Sequence, residues 1–388
     1  MTELPAPSAD ALALSAQLSA QIRQEITAAG GSIPFSRFMA LCLYSPGLGY
    51  YSAGSIKFGA GGDFVTAPEV SPLFGRCLAQ TCREVLLETG GDILEFGAGS
   101  GRLAVDILAE LERQDALPRH YLILEPGADL RYRQQQTLER ELPRLGERVR
   151  WLDALPEAGF RGVLLANEVL DAMPVERFCW SGEAAERFQV RCAGDGFDWC
   201  VEPVTDNDLV AAVAELHRDC ALQAGFVSEI NPALAPWLRT IAGILDRGLL
   251  LLADYGYPRH EYYHPQRHAG TLMCHYRQRA HDNPLLWPGL QDITAHVDFT
   301  AVAAAGVAAG LAVAGYTTQA WFLLDCGLDD FLQQAGASDT VAYMKLAQQA
   351  KTLILPGEMG ERFKLIGLGK GVAAPVPGFR AQDLRHRL

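Results

Sequence analysis

The feature that most constrains the fold is a glycine-rich turn between a buried strand and a helix. The apolar segment Asp92 to Phe96 runs into Gly97-Ala98-Gly99-Ser100-Gly101, and a helical pattern begins at Arg102. Backbone N–H groups and the positive end of the helix then face whatever lies above the loop. A tight structural connection gives the same pattern, so the neighbouring segments must decide between the two interpretations.

Short apolar runs alternate with helical patterns on both sides of this turn. We predict strands at 92–96, 121–125, 149–152, 163–166, 248–254, 311–324 and 362–369, and helices at 9–29, 71–88, 102–114, 130–142 and 300–309. A further helix is predicted over 33–39, with Ser32 as its N-cap and Pro34 in its first turn. The alternation predicts an α/β fold with a seven-stranded, mostly parallel, Rossmann-like sheet that carries helical and hairpin insertions.

Breaks in this rhythm divide the chain into five segments. We expect an N-terminal helical and loop segment that acts as a lid (1–70), a first part of the core (71–175), an insertion (176–247), a second part of the core with a His-rich loop (248–325), and a helical insertion with the final strand and tail (326–388).

Charge and composition exclude several classes of partner. The net charge is −13 and no dense basic run occurs, which argues against nucleic acid. No apolar run reaches membrane-spanning length, and the first ten residues resemble neither a secretory signal nor a transit peptide. The nine cysteines form no Cys-x-x-Cys pair and the histidines have no zinc spacing, so we expect no metal. These features predict a cytoplasmic protein.

Two details distinguish the glycine loop from a dinucleotide-binding loop. A dinucleotide fingerprint has a small residue at position 102, where this chain has Arg102, so a nicotinamide oxidoreductase is a weak alternative. An acidic residue two positions before the first glycine, Glu95, fits the loop of class I methyltransferases. We therefore expect Glu95, Gly97, Gly99 and Gly101 to bind S-adenosylmethionine.

Acidic side chains also follow the next two strands. Glu125 can accept hydrogen bonds from both ribose hydroxyls of an adenosyl group, and Asp153 stands where a contact to the adenine amine is usual, although helix capping explains Asp153 as well. Three further cofactor contacts, Thr66, Pro68 and Glu69, are predicted from a block that could fold over the donor. A rigid structural loop remains the alternative for that block.

The fourth strand ends in a polar sequence, Asn167 to Val175, beside the expected methyl donor. It lacks the Asn-Pro-Pro-aromatic signature of enzymes that methylate bases. Asn167 is assigned to the cofactor, while Glu168 and Asp171 offer carboxylates of the kind a guanidinium prefers. His296, near two aspartates, is a candidate proton acceptor. Turn formation is the alternative for Asp171, and a hydrogen-bonded packing role is the alternative for His296.

From about residue 30 to 370 the chain resembles the MidA-like family of methyltransferases, which includes a mitochondrial assembly factor for respiratory complex I. The matching blocks are 43–51, 62–69, 71–75, 97–101, 167–174 and 292–299. The resemblance implies a protein arginine N-methyltransferase that uses S-adenosylmethionine on a protein substrate, with a respiratory complex subunit as one candidate. A non-catalytic assembly factor and a small-molecule methyltransferase are the alternatives.

Overall fold

The structure is a computed structural model that describes residues 4–53, 65–336 and 340–388. Its helices are α1 (Ala9–Ala28), α2 (Phe35–Tyr44), α3 (Ala67–Val70), α4 (Pro72–Thr89), α5 (Arg102–Arg113), α6 (Ala128–Glu141), α7 (Asn207–Cys220), α8 (Leu234–Ile244), α9 (Arg259–Tyr262), α10 (Phe299–Ala308), α11 (Gln319–Asp325), α12 (Leu328–Gly336) and α13 (Thr340–Ile354). Short 3-10 helices span Pro143–Arg148, Pro265–Arg267 and Arg385–Arg387.

The strands are β1 (Ser32–Pro34), β2 (Asp92–Phe96), β3 (Tyr121–Leu124), β4 (Val149–Leu152), β5 (Phe160–Asn167), β6 (Glu176–Trp180), β7 (Ala185–Ala193), β8 (Gly196–Pro203), β9 (Phe226–Ile230), β10 (Leu245–Tyr257), β11 (Met273–Tyr276), β12 (Arg279–His281), β13 (Asp292–Thr294), β14 (Val297–Asp298), β15 (Ala312–Thr318) and β16 (Phe363–Lys370).

The chain divides into two compact units, which we describe separately. The first unit comprises Met1–Phe64, Asp171–Pro236 and Tyr257–Asp298, and the second comprises Val65–Leu170, Trp237–Gly256 and Phe299–Leu388.

The second unit is built on a mixed sheet whose strands follow the order β15-β16-β10-β5-β2-β3-β4. Neighbouring strands from β10 to β4 are parallel, whereas β16 is antiparallel to both β10 and β15. Phe96 pairs with Leu124 and Ala166, and Leu124 pairs with Leu152, so the carboxyl ends of four parallel strands lie at one edge. The α/β class predicted from the sequence is confirmed, with the qualification that the sheet is mixed.

Helices α4 and α5 belong to the core of this unit because each presents an apolar face. In α4 the Ser71 hydroxyl accepts a hydrogen bond from the backbone of Leu73, Pro72 occupies the first turn, and Gly90 ends the helix in a left-handed conformation. These capping signals explain why the helix predicted at 71–88 agrees with the observed one to within a residue.

The first unit is built on an antiparallel sheet in the order β1-β7-β6-β9, with β8 paired to β7. A second, three-stranded sheet has the order β12-β11-β13. Strand β1, from the predicted N-terminal segment, pairs with β7, from the predicted insertion, at Ile33 and Val190. Both of these side chains are buried in a core that also contains Leu18 and Phe38.

Two predictions of secondary structure were wrong. The helix predicted over 33–39 starts only at Phe35, because Ser32–Pro34 pairs as a strand that buries Ile33. The single strand predicted over 311–324 ends at Thr318, whose hydroxyl accepts a hydrogen bond from the backbone of Trp321 and thereby caps α11.

Candidate functional site

The glycine loop adopts the backbone conformation for which its glycines are needed. Gly97, Gly99 and Gly101 have φ values of 63°, 53° and 82°, in the left-handed region that favours glycine. Gly101 is also the N-cap of α5, so the first N–H groups of that helix start directly from the loop. A Cβ atom at Gly101 would lie 3.2 Å from the Cα atom of Gln134 on α6, which shows how closely this helix approaches the loop.

The block before α4 contacts this loop. Thr66 and Pro68 are buried, and Thr66 precedes α3 without a capping bond from its side chain. The Ser100 hydroxyl donates a short hydrogen bond to the carboxylate of Glu69. These three predicted cofactor residues therefore lie in the second unit beside the loop, and their contact with a donor stays a prediction. Residues 62–64 of the matching block lie outside the described residues.

Glu95 is buried inside the sheet at the end of β2. Its Oε2 atom accepts a hydrogen bond of 2.8 Å from the Tyr121 hydroxyl, and its exposed fraction is 2%. Burial raises the pKa of Glu95 to about 7; the hydrogen bond from Tyr121 opposes this rise and the charge of Glu125 adds to it. The folded protein therefore holds a proton on Glu95 more tightly than an exposed carboxylate would.

Glu125 is held from two sides at the end of β3. The backbone N–H of Gly127 donates to its Oε1 atom at 2.9 Å, and the Gln134 side chain donates to Oε2 at 3.2 Å. The carboxylate is buried yet lies directly after the strand end, at the edge where Phe96 and Leu124 pair. Its two oxygens thus have a fixed orientation.

Gln134 was missed by the sequence analysis. Its side chain is fully buried, donates to the Gly99 carbonyl at 3.1 Å as well as to Glu125, and accepts from the Trp151 indole at 2.9 Å. The sequence carried a signal, because Leu130, Gln134 and Leu138 follow the four-residue spacing of one helix face. A glutamine within an apolar stripe requires buried partners.

Asp153 is 89% exposed after β4. The sequence analysis also missed Arg131, which donates to the Asp153 Oδ1 atom at 2.9 Å. The same guanidinium donates to the backbone carbonyls of Leu152 at 3.0 Å and Glu125 at 3.2 Å. This arginine connects the ends of β3 and β4. The exposed Asp153 carboxylate remains accessible to a ligand, and its contact with adenine stays a prediction.

The end of β5 has an unusual backbone. Glu168 has a φ of 52°, uncommon for a residue with a side chain, and its N–H donates to the Ala253 carbonyl at 2.9 Å. The buried carboxylate of Asp254 accepts from the backbone of Leu170 at 2.9 Å, which closes the turn. The Asn167 amide donates to the Glu168 carboxylate at 3.2 Å. Among the described residues, the buried Oδ1 atom of Asn167 has no hydrogen-bond partner.

Asp171 and His296 belong to the first unit. Asp171 is buried, and its backbone carbonyl accepts a hydrogen bond of 3.0 Å from Ala295, the residue next to His296. The His296 ring stacks on Tyr257 with 5.5 Å between ring centroids, and its backbone N–H donates to Thr271 at 3.1 Å. These contacts bring the Asp171 and His296 backbones together within the first unit. Their predicted catalytic roles remain predictions.

The described residues contain neither a metal-binding cluster nor a membrane-spanning helix. Within residues 4–53, 65–336 and 340–388, no cluster of three or more histidine, cysteine or acidic side chains could hold a metal ion. In the same residues no helix combines the length and apolar character needed to cross a membrane.

The arrangement in the second unit fits an adenosyl cofactor. Left-handed glycines at the start of α5 allow close approach to the backbone, and Glu125 offers oriented acceptors for hydroxyls. Asn167 has a buried acceptor atom that finds no partner in the part of the chain that the structure describes. The fold and these strand-end groups define an α/β protein with a nucleoside-type site at the carboxyl edge of its parallel strands.

Comparison with known proteins identifies the family. A family model for S-adenosyl-L-methionine-dependent methyltransferases matches residues 73–317, and the chain belongs to this family. Two relatives from Drosophila melanogaster and Caenorhabditis elegans are both named protein arginine methyltransferase NDUFAF7 homolog, mitochondrial. Each is 28% identical; the Drosophila match covers 97% of this chain and 92% of the relative, and the Caenorhabditis match covers 86% and 82%.

A solved structure agrees with this family. The chain resembles, with a TM-score of 0.95 and 44% identity over the full length of both chains, a Burkholderia thailandensis protein crystallised with S-adenosyl-homocysteine. The protein is therefore an S-adenosylmethionine-dependent methyltransferase, and S-adenosylmethionine is its cofactor, as the sequence predicted. The predicted cytoplasmic location is contradicted, because the matched relatives are named as mitochondrial. The absence of a transit-peptide pattern was not a sound basis for that prediction.

Proposed function

We propose that this protein is a protein arginine N-methyltransferase. The names of the relatives support an arginine-bearing protein as substrate. The observation that carries the proposal is the end of β5, where the Glu168 carboxylate is fixed by a strained backbone and by the amide of Asn167. A guanidinium requires an oriented carboxylate of this kind.

The cofactor residues are proposed from the second unit, in a class I, Rossmann-like arrangement. The glycine loop lies against the donor, Glu125 accepts the ribose hydroxyls, Asp153 contacts the adenine, and Asn167 lies near the reacting methyl group. The proposed set is Glu95, Gly97, Gly99, Gly101, Glu125, Asp153, Asn167, Thr66, Pro68 and Glu69. The left-handed φ values of the loop and the two hydrogen bonds that orient Glu125 support this assignment.

The chemistry proposed for Glu168 follows from the state of the substrate. Arginine is protonated at every physiological pH, so its nitrogens are weak nucleophiles. A carboxylate that holds two N–H groups localises the positive charge away from the third nitrogen, whose electron pair forms the new C–N bond. The cofactor supplies an electrophilic methyl group on a sulfonium, and the C–S electron pair leaves with the sulfur. The methylated nitrogen then releases one proton to a carboxylate or to water.

Asp171 and His296 are proposed in supporting roles, Asp171 as a second carboxylate and His296 as a proton acceptor. The buried position of Asp171 and the stacking of His296 on Tyr257 support fixed orientations for both groups. A subunit of a respiratory complex is the first substrate to test, because the MidA-like resemblance includes a complex I assembly factor.

The decisive test is Glu168→Gln, which keeps the size of the side chain and removes its charge. Methyl transfer to protein should fall by about a hundredfold, comparable to the loss of one preorganised electrostatic group. The affinity for S-adenosyl-homocysteine should stay within about twofold, since Glu168 is assigned to the substrate. The control is Glu157→Gln, which removes an exposed carboxylate from the loop before β5.

Transfer of a labelled methyl group to proteins from cells lacking this chain, followed by mass spectrometry of arginine, measures the activity. Near-normal turnover of Glu168→Gln contradicts the arginine mechanism. Label found only in small molecules favours a small-molecule methyltransferase, and cofactor binding without any labelled product favours a non-catalytic assembly factor.

A further inference from the structure

We infer that Gln134 is a positioning residue that fixes the Glu125 carboxylate against the glycine loop and thereby sets the affinity for the cofactor. The inference rests on the proposed role of Glu125 and extends it to a residue on α6. It concerns the second unit only.

The Gln134 amide satisfies a specific pattern of donors and acceptors. A primary amide has two N–H donors on one atom and an acceptor oxygen on the other. Here the nitrogen serves the Gly99 carbonyl at 3.1 Å and Glu125 at 3.2 Å, while the oxygen accepts from Trp151 at 2.9 Å. One side chain therefore connects the ends of β2 and β3 with β4.

Other residue types would not perform this function. A glutamate would place a second carboxylate beside Glu125 and could not donate to Gly99 when ionised. A leucine would suit the buried face shared with Leu130 and Leu138, but it would remove one hydrogen bond each from the Gly99 carbonyl, the Glu125 carboxylate and the Trp151 indole N–H. The glutamine therefore supplies hydrogen bonds at the strand ends that an apolar residue in this position could not supply.

The backbone of α6 is fixed at the same place. The Cα atom of Gln134 would lie 3.2 Å from a Cβ atom at Gly101, so no side chain larger than hydrogen fits between helix and loop without movement. The backbone of α6 therefore packs directly against the loop, which places the Gln134 amide within reach of Gly99 and Glu125. This constraint makes Glu125 preorganised before the ribose arrives.

The expected effect is on cofactor binding and not on the chemical step. In Gln134→Leu, Glu125 keeps its bond from Gly127 but loses the second one, and the Gly99 carbonyl loses its partner. The affinity for both S-adenosylmethionine and S-adenosyl-homocysteine should fall about tenfold, as for one hydrogen bond to a charged group. The KM for the cofactor should rise by the same factor while kcat at saturation changes less than twofold.

The experiment compares Gln134→Leu, Glu125→Ala and the double variant by calorimetry with S-adenosyl-homocysteine, with steady-state kinetics alongside. Gln136→Leu is the matched control, since Gln136 is exposed on the same helix and should bind like the parent. If Gln134 acts through Glu125, the double variant should bind no more weakly than Glu125→Ala alone. Additive losses would mean that Gln134 acts independently, and would overturn the inference.

The remaining outcomes distinguish failure of the inference about Gln134 from failure of the proposed role of Glu125. Weak binding by Glu125→Ala with parental binding by Gln134→Leu overturns the inference alone. Parental binding by both removes Glu125 from the site and the inference with it. If Gln134→Leu does not fold, Trp151→Phe removes the indole N–H that orients the amide and keeps an aromatic ring against the core. It should weaken binding about threefold, and unchanged binding would overturn the inference.

Discussion

Glu95 makes the stability of the free protein depend on pH in a direction opposite to that of most carboxylates. Because it is buried at the end of β2, its pKa in the folded protein is raised from the ordinary value of 4.5 to about 7. Below pH 4.5 the group is protonated in both states and makes no difference to stability. Between pH 4.5 and 7 the unfolded chain has released the proton that the folded protein retains, so the free energy of unfolding falls as the pH rises.

The magnitude follows from the two pKa values. The difference between about 7 and 4.5, at roughly 1.4 kcal/mol per pH unit, corresponds to roughly 3 to 4 kcal/mol lost above pH 7. Burial also raises the pKa of Asp106, to about 6, and this group contributes to the slope in the same direction. The contribution of Glu95 to the pH dependence must therefore be isolated by comparing a Glu95 variant with the parent.

The test is Glu95→Gln, whose side-chain oxygen can still accept the hydrogen bond from Tyr121. Urea unfolding of the cofactor-free protein is followed from pH 5 to pH 8 by fluorescence and circular dichroism. From pH 5 to pH 8, the free energy of unfolding of the variant minus that of the parent should increase by about 2 to 3 kcal/mol. This increase does not depend on the difference between the two proteins at pH 5. Glu139→Gln, at an exposed position of α6, controls for the loss of one negative charge. A difference between variant and parent that does not change with pH would refute the reasoning.

Three further predictions concern the strand ends. Gly99→Val should abolish binding of S-adenosyl-homocysteine in calorimetry, because a β-branched residue resists the φ of 53°; unchanged affinity would remove the loop from the site. Glu125→Ala should weaken that binding by about 1 to 3 kcal/mol with little loss of stability, and an affinity within twofold of the parent would contradict its role. Asp254→Ala removes the acceptor of the Leu170 N–H and should lower both the thermal stability and the methyl transfer that depends on Glu168, whereas parental values of both would show that the turn does not need this bond.

The parallel part of the fold could be predicted from the sequence because its signals are local. The strand at Asp92 to Phe96 is bounded by the glycine loop, and Ser71, Pro72 and Gly90 mark the ends of α4. The sheet of the first unit was not predictable in the same way. Its β1 strand has three residues and pairs with β7, more than 150 positions away. The local signals of Ser32 as an N-cap and Pro34 in a first turn therefore suggested a helix over 33–39.

Some residues of the candidate site could likewise be predicted from local sequence patterns, and others could not. Residues at strand ends, such as Glu95 and Glu125, can be found by pattern, since the carboxyl ends of parallel strands meet at one edge. Gln134 and Arg131 lie inside a helix, where polar residues are usual, and only their hydrogen bonds across the sheet edge distinguish them. Gln134 could have been found on a helical wheel, because it is a polar residue on the apolar face of α6. Nothing in the sequence pattern distinguishes Arg131 from the other arginines on that helix.

The orientation of the Glu168 carboxylate could not be predicted from the sequence motif alone. The sequence Asn167-Glu168 indicates polar groups after a strand, but the φ of 52° depends on a hydrogen bond from the Glu168 N–H to the carbonyl of Ala253. The neighbouring Asp254 accepts from Leu170, so the end of β10 determines the turn that follows β5. A strained backbone persists where surrounding bonds over-determine it. The orientation of this carboxylate is therefore a property of two adjacent strands, and substitution at Asp254 should disturb methyl transfer although that residue is assigned no contact with the cofactor.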